Sequence, residues 1–188
     1  PKTPGTALAR FAVRTFGPAI LHAGSGGNML AIGSAAIIFI TLGIGWVGFP
    51  AIALALCGFA WIIRRAAALL IAVEQESMAL APSRWPREPM FDWVNDAIML
   101  TIMIWNTAPI PDSSVWHRGF APLILLCLVR LYPQLTDRAW GAWLSDRSLL
   151  AFLLAISAGA GVLTLAVPAL AVLLGVAAIL LPARLMRI

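Results

Sequence analysis

Three carboxylates follow one another at intervals of four residues near the middle of the chain: Glu88, Asp92 and Asp96. On one helix they would share a face, because residues four apart differ by about 40° around the helix axis. Like charges placed so close repel each other, and a nearby cation relieves that repulsion. Hard divalent cations prefer oxygen ligands. The spacing therefore indicates a metal site at these three residues, with Asp92 and Asp96 as the candidate catalytic pair.

A purely structural role for the same residues stays open. Asp92 suits the N-cap of a helix, and Asp96 suits its first turn, where the helix dipole favours an acid. Pro89 favours an extended conformation for the residue before it, which weakens the helical spacing at Glu88. Under this interpretation the carboxylates begin a helix and perform no chemistry.

Two adjacent arginines, Arg64 and Arg65, lie near the end of the preceding apolar segment. Both cannot lie in the middle of a bilayer without partners, so they must reach the surface, form ion pairs or line a polar pocket. They are the candidate substrate-binding residues, suited to a phosphate group. The alternative is that they anchor the end of a membrane helix.

Other polar residues have simpler interpretations. His22 is a candidate haem or chlorophyll-magnesium ligand, although a lone interfacial histidine is more often a polar edge residue. Glu74 and Glu76 suit proton transfer, but a solvated loop that pairs with nearby arginines is the favoured explanation. Cys57 and Cys127 lie in apolar runs, and we expect small core residues rather than a disulfide or metal site.

The composition indicates a membrane protein. Hydrophobic residues make up 61% of the chain and charged residues 11%, whereas a soluble domain is about half apolar and a quarter charged. The mean hydropathy is +0.92. The net charge of +5 comes from scattered basic residues without a basic stripe, so we expect no nucleic-acid partner. Arginines at helix ends facing anionic headgroups explain it.

The apolar pattern predicts an all-α polytopic bundle. Residues 1–28 form a juxtamembrane segment with an amphipathic interfacial helix over 5–22, ended by Pro18 and the glycine-rich residues 24–28. Residues 29–188 form a domain of six spans. Four of them cover 29–47, 51–71, 92–108 and 115–131. The uncharged run 148–183 is too long for one span, and Pro168 divides it into a hairpin of two.

The distribution of positive charge supports an orientation. With the N-terminus in the cytoplasm, twelve of the thirteen lysines and arginines lie on the cytoplasmic side, and Arg118 alone lies outside. Such a bias is typical of integral membrane proteins. We expect a location in the bacterial inner membrane with both termini cytoplasmic.

This layout resembles the CDP-alcohol phosphatidyltransferases, which transfer a phosphatidyl-type group from a CDP-linked donor to an alcohol. The segment Asp92-Trp-Val-Asn-Asp96 looks like the last DxxxD of the family motif, and Arg64 or Arg65 stands where the motif arginine lies. The resemblance implies that Mg or Mn binds at Asp92 and Asp96. The chain departs from the motif: residues 57–60 contain no acid, Glu88 replaces a glycine, and Arg65 is too far from Asp92. These departures imply missing metal ligands.

The sequence therefore predicts a non-catalytic integral membrane subunit, or a lipid-binding pseudoenzyme, that packs in a larger membrane assembly. Its partners are membrane lipids and other membrane subunits or further copies of the chain, and no cofactor is assigned. One alternative is a lipid headgroup transferase that uses Mg or Mn at the cytoplasmic ends of spans two and three. A transporter is the second alternative, disfavoured because span centres lack charged residues.

Overall fold

The computed structural model describes residues 3–22, 26–78, 88–107, 120–129, 143 and 146–185; for 75–78, 88–90, 107 and 179–185 it describes the backbone alone. These ranges contain helices and no strand, which confirms the all-α prediction. The helices are α1 (Pro4–His22), α2 (Gly26–Trp46), α3 (Pro50–Met78), α4 (Glu88–Thr107), α5 (Phe120–Val129), α6 (Arg147–Gly159) and α7 (Leu163–Leu185).

Two helices are long and apolar enough to cross a membrane: α2, and the Pro50–Glu74 part of α3. The prediction of six spans is not supported. The other apolar helices whose side chains the structure describes, Phe120–Val129, Arg147–Gly159 and Leu163–Ala178, are shorter than the ~20 residues that a crossing requires. Spans three and four were expected to be short. Span three corresponds to α4, which covers Glu88–Thr107, and the described part of span four is Phe120–Val129.

Helix α3 lies at the centre of the bundle and contacts α1, α2, α4 and α6. It runs antiparallel to α2 after a tight turn in which Gly48 adopts a φ of +98°, a value that favours glycine. Small residues let the two helices approach closely. A methyl group on Gly27 would lie 2.8 Å from the carbonyl oxygen of Ala67. Glycine is therefore required at that crossing.

The main core is apolar and joins α2 through α7. Its fully buried members include Ile38, Leu54, Met99, Ile102, Leu125, Leu154 and Val167. The outer surface is apolar too: large hydrophobic side chains are exposed on all seven helices, among them Phe11, Phe39, Phe59, Trp105, Leu123, Ile156 and Leu165. In water such a surface would be costly, at about 25 cal/mol for each Å².

Both prolines that were expected to end helices lie inside them. Pro18 is within α1, which continues to His22, and Pro168 is within α7. The hairpin that the sequence predicts does form, but its turn is at residues 160–162, where Gly161 has a φ of +72°. Glycine reaches that backbone region without the penalty that a side chain imposes, so Gly161 determines the turn and Pro168 does not.

Helix α1 packs lengthwise on α3. Its buried positions are the small residues Gly5, Ala9 and Gly17, whereas Leu8 and Phe11 are exposed. A methyl group on Gly5 would lie 2.9 Å from the Trp61 ring, and one on Gly17 would lie 3.2 Å from Leu70. Successive positions of α1 thus meet successive positions of α3, so the two helices run in the same direction. The predicted helix is present, and its bulky apolar side chains face away from the protein.

Candidate functional site

The arginine that opens α6 holds both predicted catalytic acids. Arg147 donates a hydrogen bond from Nη1 to Asp92 Oδ2 at 2.9 Å. Its Nε lies 3.1 Å from Asp96 Oδ1, which makes an ion pair without the alignment of a hydrogen bond. The side chains are 16% (Arg147), 26% (Asp92) and 6% (Asp96) exposed. The shared face of Asp92 and Asp96 is therefore present, and Arg147 supplies a cation between them.

Helix α4 begins before these acids. It starts at Glu88, so the expectation that Asp92 is the N-cap is wrong: Asp92 lies in the second turn. Pro89 explains the earlier start, because a proline suits the first helical turn, where its missing N–H has no intrahelical acceptor. The side chain of Glu88 lies outside the described residues, and its predicted role as a metal ligand stays a prediction.

A second carboxylate, Asp146, sits where the N-termini of α1 and α6 meet. Its Oδ1 accepts hydrogen bonds from Ser148 N at 3.0 Å and Ser148 Oγ at 2.6 Å, and its Oδ2 accepts one from Gly5 N at 2.8 Å. Helix N-termini carry partial positive charge and free N–H groups. They stabilise this carboxylate although Asp146 is only 3% exposed.

The two predicted substrate-binding arginines face different surroundings. The Arg64 guanidinium lies 5.3 Å from the centre of the Phe91 ring on α4, next in sequence to Asp92. The Arg65 guanidinium lies 4.3 Å from the centre of the Trp61 ring on its own helix. Both contacts are cation–π geometries. Arg64 thus contacts the part of α4 that carries Asp92, and Arg65 lies on the exposed side of α3.

The residues Arg64, Asp92, Asn95, Asp96 and Arg147 are called the polar cluster from here on. Sequence reasoning missed Arg147 and Asn95, and it missed the capping role of Asp146. One signal was available: an aspartate directly before a long apolar run is a typical helix N-cap. Asn95, at 1% exposure, offered no sequence signal because burial of an amide depends on tertiary packing.

Arg64 lies part-way along α3, whereas the two acids lie in the first three turns of α4 and Arg147 begins α6. Gly27 of α2 lies against Ile71 of α3, and Gly45 of α2 lies against Ala53 of α3. The interval from Gly27 to Gly45 contains as many residues as the interval from Ala53 to Ile71. The antiparallel register therefore places Arg64 level with Ser34. At the usual helical rise per residue, that level is about 12 Å from the beginning of α2 and about 18 Å from its end. Arg64 is therefore a charged residue inside the apolar Pro50–Glu74 part of α3.

The opposite end of the bundle is aromatic. Trp46 and Trp105 stack with ring centroids 4.5 Å apart, at the last turns of α2 and α4. Since α2 and α4 run in parallel, the stacked tryptophans and the polar cluster lie at two different heights along the helix axes. Along the axis of α4 the distance from Asp92 to Trp105 is about 20 Å. Apolar core residues fill the interval.

The other residues singled out in the sequence lie outside the polar cluster. His22 is exposed at the end of α1. Glu74 lies on α3 rather than in a loop, and its Oε1 accepts a hydrogen bond from Gly27 N at 3.0 Å; the side chain of Glu76 is not among those described. Cys57 is buried as expected, but Cys127 is exposed because it faces outward on α5. Among the described residues, no group of three or more His, Cys, Asp or Glu is placed to hold a metal ion.

Comparison with known proteins gives no relative for this chain: no family model, curated protein or solved structure matches it. The resemblance to the phosphatidyltransferases therefore stays a prediction from a few residues and the layout.

Proposed function

We propose that this chain is a non-catalytic integral membrane protein whose polar cluster locks α4 and α6 together. One observation carries the proposal: Arg147 bridges Asp92 and Asp96 at 2.9 and 3.1 Å. A guanidinium satisfies both carboxylates, so they resemble a structural ion pair more than an open ligand set. A divalent ion would have to displace or share with that guanidinium, at the cost of leaving a largely buried positive charge.

The apolar surface supports a place among lipids and other membrane helices. Only 22% of the residues in the apolar window of α2, and 39% in that of α3, are buried. A helix in the core of a soluble protein would be mostly buried. The proposed partners are membrane lipids and other membrane subunits, or further copies of this chain, which would cover faces that carry Phe39, Ile40 and Phe59.

The proposed location is the bacterial inner membrane with both termini in the cytoplasm. The supporting argument is the bias of basic residues: in the six-span layout predicted from the sequence, twelve of thirteen share one side.

The test is to tag the chain and solubilise it from its native membrane in mild detergent. We expect other membrane proteins or a second copy to co-purify with it at fixed stoichiometry. We also expect titration calorimetry to detect no Mn²⁺ binding that is lost when Asp92 or Asp96 is replaced. A lone monomer that binds Mn²⁺, and loses that binding in Asp96→Asn but not in the control Glu74→Gln, would overturn the proposal.

A second candidate is the lipid headgroup transferase. It is favoured by the proximity of Arg64 to the Asp92 segment, since Arg64 stacks on the neighbouring Phe91. Under this proposal Asp92 and Asp96 would bind Mg or Mn, and Arg64 would bind phosphate. Release of CMP from a CDP-linked lipid, lost in Asp96→Asn, would establish it over the first proposal.

A transporter is a third candidate, favoured by the position of Arg64 inside the apolar Pro50–Glu74 part of α3, since charged groups within apolar helices commonly mark an ion or substrate path. Uptake of an ion or solute into vesicles containing the purified chain, abolished in Asp96→Asn, would establish it.

A further inference from the structure

Asn95 is the polar-cluster residue whose side chain is buried without a hydrogen bond. It is 1% exposed, and neither Nδ2 nor Oδ1 has a hydrogen-bond partner among the described residues. Burying an amide in this state costs free energy, so nearly all buried polar groups in native proteins have a protein or solvent partner. An amide in this position therefore points to a ligand that supplies the missing donor and acceptor.

The position of Asn95 on α4 shows where such a ligand would lie. Phe91, Asn95, Met99 and Met103 are spaced four apart and form one row along the helix. Phe91 carries the Arg64 guanidinium of α3 against its ring, and Met99 and Met103 are both fully buried. The row of Asp92 and Asp96, which faces Arg147, is adjacent. Asn95 therefore points into the wall between α3 and α4, beside the charged part of the polar cluster.

The charges of the polar cluster select a neutral ligand. Among the described residues of the cluster, two arginines, Arg64 and Arg147, accompany two carboxylates, Asp92 and Asp96, so an added ion would leave these four groups with a net charge in an apolar surrounding. Asn95 offers one acceptor oxygen and one donor nitrogen. A hydroxyl group matches both, because it donates one hydrogen bond and accepts others.

We propose that Asn95 marks a binding site for a neutral hydroxyl group, supplied by a water molecule or by a small alcohol, between α3 and α4 next to Asp96. Water commonly fills this role, since buried waters bridge polar groups that lack protein partners. The site goes beyond the proposed function, because it holds whether or not the chain assembles with other subunits. A hydroxyl group bound at this site would hydrate the polar cluster within the apolar bundle.

Radiolytic hydroxyl-radical labelling of the full chain in lipid nanodiscs tests the site. A brief X-ray pulse makes radicals from bound water as well as bulk water, and methionine next to a bound water is oxidised although it is buried. Met99 is one helical turn from Asn95, and Met103 is two turns away with equal burial. We expect sulfoxide to form several-fold faster at Met99 than at Met103. Equal rates would overturn the proposal.

Two variants separate the site from general packing. Asn95→Leu removes both polar atoms at similar volume and should lower the rate at Met99 to that at Met103. Asn95→Ser keeps a group that can hold a hydroxyl ligand and should retain fast labelling. The exposed Met29, at 62% exposure, reports the bulk radical dose, and unchanged slow oxidation of the buried Met103 reports an intact fold. Fast labelling of Met99 that persists in Asn95→Leu would contradict the proposal.

Adding glycerol distinguishes the two sources of the hydroxyl group. The measured quantity is the ratio of the oxidation rate of Met99 to that of Met29, because glycerol that scavenges radicals in bulk water lowers both rates alike. A ratio that falls with glycerol in the unaltered chain, and stays constant in Asn95→Leu, assigns the site to an alcohol. A constant ratio in the unaltered chain, with Met99 still faster than Met103, assigns it to water.

Discussion

The backbone N–H of Gly5 donates a hydrogen bond to Oδ2 of Asp146 at 2.8 Å, across 141 positions of sequence. The contact joins the first turn of α1 to the N-cap of α6 and buries a carboxylate between two helix N-termini. A methyl group on Gly5 would contact Ser148 Oγ and lie 2.8 Å from Asp146 Oδ1. The geometry therefore needs both an acid at 146 and the absence of a side chain at 5.

The first prediction concerns Gly5→Ala. We expect a loss of about 2–3 kcal/mol in the free energy of unfolding, because the methyl group has to displace the buried Asp146 cap or the Trp61 ring. Reversible unfolding in mixed micelles measures it. The matched control is Gly33→Ala, where a methyl group meets nothing within 4 Å. There alanine should stabilise the helix by up to about 1 kcal/mol. Equal effects at the two glycines would show that the close approach at Gly5 has no energetic consequence.

The second prediction concerns the cap itself. Asp146→Ala removes the acceptor of Gly5 N, Ser148 N and Ser148 Oγ. We expect a loss of about 2 kcal/mol, at the upper end for a helix cap, because these groups are buried. Asp146→Asn keeps one acceptor oxygen and should lose less. Hydrogen exchange should show faster opening at the N-termini of both α1 and α6, and opening confined to α6 would contradict the link between them.

The third prediction tests the ion pairs of Arg147. Arg147→Gln removes the guanidinium that bridges the two neighbouring carboxylates, and we expect a loss of about 2–4 kcal/mol in the free energy of unfolding. The partial exposure of Asp92, at 26% of its side chain, moderates that loss. Adding Asp96→Asn to the variant should recover part of it, because the repulsion between the acids is removed. A double-mutant cycle on the unfolding free energy measures the coupling. Additive losses would show that the pair at 3.1 Å contributes no stability.

Sequence reasoning and structure agree where local pattern decides the outcome. The helical class follows from hydropathy, and the face shared by Asp92 and Asp96 follows from a spacing of four. Arg147 was not assigned to Asp92 because the partner of a side chain 55 residues away depends on packing, which no local pattern encodes. The expected breaks at Pro18 and Pro168 failed because helix packing offset the loss of one backbone hydrogen bond at each proline.

The fourth prediction concerns the aromatic end of the bundle. Trp46 and Trp105 stack with an interplanar angle of 18°, and such pairs contribute about 0.5–1.5 kcal/mol beyond their buried area. A double-mutant cycle with Trp46→Leu and Trp105→Leu should show a coupling of that size. The control cycle pairs Trp46→Leu with Trp93→Leu, an exposed tryptophan at the other end of α4. It should show no coupling, and coupling of equal size in both cycles would remove the claim of a specific stack.

The last prediction separates lipid from water as the surrounding of α2. Asn28 and Ala36 are both exposed on the protein surface, and Ala36 is about 12 Å further along the helix axis. Cysteine is introduced at each position after replacing Cys57 with alanine and Cys127 with serine. In native membranes a charged maleimide should modify Asn28→Cys and leave Ala36→Cys unmodified, because thiol ionisation and reagent entry both require water. After denaturation in detergent both should react. If Ala36→Cys reacts as fast as Asn28→Cys in intact membranes, then α2 does not cross the bilayer, and the exposed apolar faces require a protein partner.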